Sequence, residues 1–165
     1  EFVRGVVERH GDIDLAIVLR SADVPALLAA LGPEFYVDEG AMRQAVERRS
    51  SFNAIHQPTV LKVDFFVLGD APFDRAQLEG RRLSPALEGS GRRVFVSSPE
   101  DLILRKLDWY RQGGGVSDRQ WRDVLGVLKV QAERLDLAHL RHWAAALALA
   151  ELLEQALSES GILSR

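Results

Sequence analysis

The chain has 165 residues, 47% of them apolar, and a formal net charge of −3 at pH 7. This length fits one domain, or a small domain with a helical extension, and the apolar content suffices for a hydrophobic core. The absence of cysteine excludes disulfides, thiolate metal sites and thiol nucleophiles. No apolar run reaches the roughly 20 residues that span a bilayer, and no secretory signal is visible, so we expect a cytoplasmic protein without membrane association.

The sequence up to about residue 96 is rich in strand-like runs. The opening segment "EFVRGVVERH" is compatible with a short helix, and "DIDLAIVL" predicts a strand because its residues are mostly aliphatic or β-branched. The segment "SADVPALLAAL" predicts a helix that is capped by Ser21 or Asp23 and ends at Gly32.

Strand signals continue after a second short helix, which "EGAMRQAVERRSS" predicts. The run "FNAIHQPTVLKVDFFVL" predicts two strands that are joined by a tight connection at "HQPT". The following segment, 73–93, is polar and marked by glycines, and no helix is predicted in it; "RRVFVSS" predicts a further strand.

The rest of the chain predicts helices. Before "EDLILRKLDWYRQ", Ser98 can cap a helix, Pro99 suits its first position, and Asp101 completes a capping-box-like pattern. The glycines at 113–115 end this helix, and two further helices are predicted, in "SDRQWRDVLGVLKVQAERL" and, as one long helix, in "DLAHLRHWAAALALAELLEQALSES". We therefore expect an α+β protein: a small mixed sheet flanked by helices over 1–96, and a helical region over 97–165 that packs on it in a single compact unit.

Three acidic residues in apolar strands indicate a metal site. Asp12 and Asp14 project to the same face of their strand because side chains alternate, and Asp64 interrupts the apolar run "LKVDFFVL". Clustered carboxylates raise one another's pKa and are costly to bury, but two Mg²⁺ or Mn²⁺ ions about 3.5–4 Å apart can neutralise them. The alternative is that these residues occupy wet strand ends.

The combination "GDIDLAIVL" followed by "VDFFV" resembles the nucleotidyltransferase, or polymerase-beta-like, superfamily. The segments "SPEDLILRKLDWY" and "RQWRDVLGVL" look like the AbiEii-type toxin nucleotidyltransferases and a related group of small uncharacterised bacterial proteins. The resemblance covers about residues 11 to 157. It implies a nucleotidyltransferase-like sheet and a metal-dependent transfer of a nucleotide from an NTP to an acceptor, with release of pyrophosphate.

The resemblance also assigns roles to residues. It makes Asp12 and Asp14 ligands of the metal ions that hold the triphosphate, and Asp64 a ligand that helps to deprotonate the acceptor. Lys106 and Asp123 match a lysine and an aspartate that complete the catalytic site, with Lys106 binding the nucleotide's phosphate. Lys106 is one of only three lysines, and a lysine on an apolar helix row suits a phosphate oxygen. The alternatives are a lysine that snorkels to solvent and an aspartate that pairs with it.

One part of the family pattern has no match. The family carries a Gly-Ser or Gly-Gly turn before D-x-D, whose N–H groups grip the triphosphate, whereas only "EFVRGVVERHG" precedes Asp12 here. Either residues are missing between about Val7 and Glu8, or the chain lacks this grip and is catalytically weak. We favour the first, because a helix that runs directly into D-x-D would leave the sheet short of its first strand.

Two functions therefore remain open, beside a third possibility in which the chain is a purely structural α+β domain whose three acidic residues lie far apart. The first is nucleotide transfer to tRNA, another RNA, a protein or a small molecule, in the manner of a toxin that is paired with an antitoxin protein. The second is a degenerate binding or regulatory module that retains the fold. His139 and His142 are interpreted as surface residues because no third metal ligand is evident, and the arginine pairs, such as Arg81–Arg82, as solvated rather than RNA-binding.

Overall fold

The structure is a computed structural model that describes residues 12–85 and 93–162, apart from the side chain of Asp12. The chain divides into two compact units, Glu1–Ser97 and Ser98–Arg165. The described part is a mixed α+β protein with a small four-stranded mixed sheet, and the C-terminal part of the sequence is helical. The predicted helix at the start of the chain and the segment before Asp12 lie outside the described residues.

The elements within the described residues are as follows. The strands are β1 (Asp12–Ile17), β2 (Phe35–Val37), β3 (Ser51–His56), β4 (Leu61–Val67), β5 (Arg82–Pro85) and β6 (Arg93–Val96). The helices are α1 (Val24–Leu31), α2 (Glu39–Arg48), α3 (Pro72–Gly80), α4 (Pro99–Gln112), α5 (Asp118–Gln131), α6 (Leu137–Ala146) and α7 (Ala150–Ser160), and Ser21–Asp23 and Ala132–Arg134 form 3₁₀ turns. No helix of these ranges is long and apolar enough to cross a membrane.

The main sheet has the strand order β1-β4-β3-β2. β1 runs parallel to β4, and the pairs β3–β4 and β2–β3 are antiparallel. β3 and β4 form the predicted hairpin, whose connection is residues 57–60. The tip of this hairpin contains Val60, which has φ 56°, in the left-handed region that a β-branched residue rarely adopts.

One face of this sheet is the core of the first unit. Ile17, Phe65 and Val63 are buried on that face, and the rings of Phe52 and Phe65 stack at a centroid distance of 4.8 Å. Helices α1 and α2 contribute buried residues to the same cluster, among them Leu27 and Met42. Because side chains alternate along a strand, the residues between these positions lie on the opposite face.

The sequence predicts no helix or strand where α3, β5 and β2 occur. α3 begins with a proline at its start, and Ala71 at its N-cap makes no side-chain capping hydrogen bond, so the strongest start signal is missing. Asp74 in its first turn instead accepts a hydrogen bond from the backbone N–H of Gly69. β2 has only three residues, too few to show an alternating pattern.

The helical unit confirms the start and the end that the sequence predicts for α4. Ser98 Oγ accepts the hydrogen bond of the Asp101 backbone N–H, and Gly113 follows the last helical residue. The prediction of one long helix near the C-terminus is wrong, because α6 and α7 occupy this segment as two separate helices. The break contains Ala148, which has φ 55° and is not a glycine, so no breaker signals it in the sequence.

Two predicted caps also differ from the structure. Asp23 occupies the N-cap of α1 but makes no side-chain cap hydrogen bond. Its carboxylate instead accepts a hydrogen bond from Arg20 Nε at 2.8 Å, and this contact lowers the pKa of Asp23 below its ordinary value. The backbone N–H of Asp101 donates to Ser98 Oγ as predicted. Its carboxylate, however, pairs with His139 Nε2 instead of completing a capping box.

Candidate functional site

The structure brings Asp14 and Asp64 together on neighbouring strands. Their Cα atoms are opposite partners in the parallel pair of β1 and β4, so the two side chains share one face of the sheet. This is the face opposite the apolar core. Both residues are half-buried, and the Asp64 side chain keeps 22% of its surface exposed. Two carboxylates therefore lie side by side at partly shielded positions of one surface.

The polar face carries further groups beside these carboxylates. Lys62 Nζ lies 2.6 Å from Asp64 Oδ2, and 41% of the lysine side chain is exposed. Asn53 on β3 is exposed and lies opposite Asp64 on the other side. Asp14, Asp64 and Asn53 thus form one cross-strand row, here named the acidic row. Lys62 lies two residues before Asp64 on the same face and is its counter-ion.

Asp12 is the third acidic residue of the predicted metal site. It begins β1, and its Cα atom is opposite that of Lys62. Its side chain lies outside the described part, so the structure does not test the predicted grouping of three carboxylates. Among the described side chains no group of three or more His, Asp or Glu residues is arranged to hold a metal ion.

The register of β1 against β4 is held at the end of both strands. Leu68 donates its backbone N–H to the carbonyl of Ile17 at 2.8 Å. Arg49, which follows α2 with φ 51°, donates from one guanidinium nitrogen to the carbonyls of Leu19 and Leu68 at 3.3 and 3.4 Å. A single side chain therefore ties the segments that leave the two strands carrying the acidic pair.

Lys106 and Asp123 are brought together in the helical unit. Lys106 lies on α4 and is buried, with 5% of its side chain exposed, while the Asp123 side chain on α5 keeps 34%. Lys106 Nζ lies 3.3 Å from Asp123 Oδ2. An ammonium that is buried to this degree needs anionic or hydrogen-bonding neighbours, and Asp123 is one of them. This geometry matches the alternative reading in which the aspartate pairs with the lysine.

Two features of the described units were not predicted from the sequence. Lys62 had no assigned role, although its position two residues before Asp64 places it on the same face of a strand. His139 was interpreted as a surface residue, but its Nε2 lies 2.9 Å from Oδ1 of Asp101, whose side chain is 2% exposed. Sequence spacing gives no sign of this contact, because the two residues are 38 positions apart.

Comparison with known proteins adds no family to this geometry. No protein-family model matches the chain, and no curated protein matches it. The features from which a function is inferred are therefore the acidic row of β1 and β4 and the ion pair of α4 and α5.

Proposed function

We propose that the protein is a metal-dependent nucleotidyltransferase that moves a nucleotide from an NTP to an acceptor hydroxyl. The observation that carries the proposal is the register of Asp14 against Asp64 on parallel strands. Two like charges on opposite positions of one sheet face repel each other, and this arrangement destabilises a sheet unless cations compensate it. Lys62 already supplies one positive charge 2.6 Å from Asp64 Oδ2, and a bound divalent cation would compensate the pair further.

The donor groups suit a hard divalent cation. Asp14 and Asp64 offer only carboxylate oxygens, and Asp12 adds a third carboxylate two residues before Asp14 in the chain. Such oxygen donors favour Mg²⁺ or Mn²⁺ over softer metals. When bound, the ions would supply charge neutralisation for the triphosphate and for the entering and leaving oxygens.

In this proposal Asp64 acts as the general base of the reaction. Asp64 takes the proton of the acceptor hydroxyl, and the acceptor oxygen bonds to the α-phosphorus of the NTP. The bond from that phosphorus to the bridging oxygen breaks, pyrophosphate leaves, and the proton passes from Asp64 to solvent. The resemblance assigns Lys106 to a phosphate oxygen and Asp123 to the same reaction, and the assay below tests both.

The test is a transfer assay on the full chain. The protein is incubated with Mg²⁺ and each α-labelled NTP, with cellular RNA, with a protein extract, and without an acceptor. We expect label transfer by the wild type and a loss of about 100-fold or more in D64N and D14N. The matched control is D70N, since Asp70 is an exposed aspartate that follows β4. K106M and D123N, assayed in parallel, report whether the helical pair contributes.

The result that would reject the enzyme is equally specific. It consists of no labelled product with any acceptor, together with no heat of binding when Mg²⁺ and an NTP are titrated into the protein. Equal activity of D64N and D70N would also reject it, because the acidic pair would then have no part in the reaction.

A second candidate is a binding module that keeps the fold without catalysis. The ion pair between Lys62 and Asp64 favours it, because a side chain of the protein already neutralises the carboxylate of Asp64. This candidate predicts that Mg²⁺ leaves the melting temperature of the wild type unchanged. The enzyme predicts that Mg²⁺ raises it in the wild type and in D70N but not in D64N.

A further inference from the structure

One face of the two-stranded ribbon of β5 and β6 exposes apolar side chains. Leu83 is opposite Phe95 and Pro85 is opposite Arg93, so these four residues share one face. All four are exposed, whereas Ser84, Val94 and Val96 on the other face are half-buried. Leu83 keeps 43% and Phe95 37% of its surface exposed, so an aliphatic side chain and an aromatic ring are open to solvent side by side.

The same face is positively charged. The guanidinium carbon of Arg81 lies 4.6 Å from the centroid of the Phe95 ring. Among the described residues 81–85 and 93–96, Arg93 lies on this face, Arg82 lies on the other, and none is acidic, in a chain whose net charge is −3. An exposed aromatic ring, a guanidinium stacked on it and a further arginine are the groups that hold unpaired bases and the phosphates between them.

The size of the face favours a short nucleic-acid segment over a protein partner. A strand of four residues is about 14 Å long, and two paired strands are about 5 Å apart. A stable protein interface buries about 800 Å² on each partner, several times more than so small a ribbon offers. One or two stacked bases with their phosphates fit the face without needing a larger surface.

We propose that the exposed face of the β5–β6 ribbon, with Arg81, Arg93 and Phe95, binds single-stranded nucleic acid. A base stacks on the ring of Phe95, which the guanidinium of Arg81 supports while it donates to the carbonyl of Leu78, and the exposed Arg93 contacts a neighbouring phosphate. This site is separate from the acidic row and needs neither Mg²⁺ nor an NTP. A negative transfer assay would therefore not contradict nucleic-acid binding by the ribbon. Absence of nucleic-acid binding would likewise not contradict the transfer reaction.

The test is fluorescence anisotropy with a labelled 12-nucleotide oligouridylate, without Mg²⁺, at several salt concentrations. We expect F95A to weaken binding about tenfold and F95W to restore it, because any aromatic ring can stack on a base. R93E should weaken binding and lower the slope of log K against log salt by about one, the value of one lost phosphate contact. The matched controls are R48E, an exposed arginine on α2, and V116A, an exposed apolar residue outside the ribbon.

Several results would overturn this proposal. One is the absence of binding by the wild type at low salt. Another is an equal loss in R93E and R48E, which would reduce the effect to net charge, and a third is wild-type affinity of folded F95A. A labelled oligoglutamate that binds as tightly as the oligonucleotide, with the same dependence on Phe95, would identify an acidic protein segment as the partner instead.

Discussion

Lys62 places its ammonium nitrogen 2.6 Å from a carboxylate oxygen of Asp64, so the acidic row contains its own counter-ion. Both side chains are partly exposed, and ion pairs of this kind contribute about 0–1 kcal/mol. A divalent cation bound by carboxylates can therefore displace the lysine at small cost. The ion pair is compatible with a metal site, and the affinity of that site for Mg²⁺ should change when the lysine is replaced.

Replacing the lysine should strengthen metal binding. In K62M the cation that competes with Mg²⁺ is gone, and we expect the affinity for Mg²⁺ to rise about fivefold, corresponding to about 1 kcal/mol. Isothermal titration of Mg²⁺ into wild type and K62M measures this change, and K129M provides a control for the lost charge. Equal, undetectable binding in wild type and K62M would favour the binding module.

The ion pair of the helical unit should respond asymmetrically to its two single substitutions. D123N leaves the buried ammonium of Lys106 with one anion fewer, and we expect it to lower the free energy of unfolding by about 1–3 kcal/mol. K106M keeps the volume of the side chain and removes the charge, so its cost should be smaller. Urea denaturation of both variants and the double variant checks this order, and a larger loss in K106M than in D123N would contradict it.

The contact between Asp101 and His139 should stabilise the helical unit. Asp101 is buried at the start of α4, and H139A would remove the side chain that lies 2.9 Å from its carboxylate. We expect a loss of about 1–3 kcal/mol in the free energy of unfolding. H142A is the matched control, because His142 is exposed on the same helix and should change stability by less than about 0.5 kcal/mol. Similar losses in both variants would refute a specific role for the contact.

Val60 should be a site of easy stabilisation. Its φ of 56° strains the backbone, and its side chain, which is 78% exposed, contributes little burial. Asparagine tolerates this conformation, and we expect V60N to raise the free energy of unfolding by about 0.5–1 kcal/mol. V116N controls for the change of side chain, since Val116 is 79% exposed and is not among the residues with positive φ. A gain in V116N equal to that in V60N would count against strain as the cause.

The pair Arg141–Glu154 should make α6 and α7 sensitive to acid. Arg141 donates a hydrogen bond to Glu154 at 2.7 Å, and this contact lowers the pKa of the glutamate below its ordinary 4.5. A lowered folded-state pKa gives stability that is present above the unfolded-state value and is lost as pH falls through the folded-state value. R141Q should therefore lose less stability than wild type between pH 6 and pH 3 in urea denaturation, and an unchanged pH profile would contradict this.

Sequence patterns predicted the parts of the fold that depend on strong local signals. The strand with Asp14, the strand with Asp64 and the hairpin at 57–60 were confirmed, because aliphatic and β-branched runs define strands well. The helix that starts after Ser98 was confirmed because its cap is explicit in the sequence. The grouping of Asp14 with Asp64 was predicted from the cost of burying clustered carboxylates and from the resemblance, because no local pattern states which strands pair.

Other features depend on tertiary contacts and could not be predicted in this way. The pairing of His139 with Asp101 joins distant parts of the chain, and the break at Ala148 occurs without glycine or proline. Lys62 is different, since the alternation of strand side chains was enough to place it on the face of Asp64. The sequence contained that counter-ion, but the prediction considered only the acidic residues.

Arg49 couples correct folding to the assembly of the acidic pair. Its guanidinium donates to the carbonyls of Leu19 and Leu68, just beyond the ends of β1 and β4. A slip of β1 by one residue would turn its carboxylates toward the apolar layer and bring Ile13 or Leu15 to the side of Asp64. Arg49 lies outside both strands, yet its two hydrogen bonds oppose that misalignment and so help to keep the two carboxylates side by side.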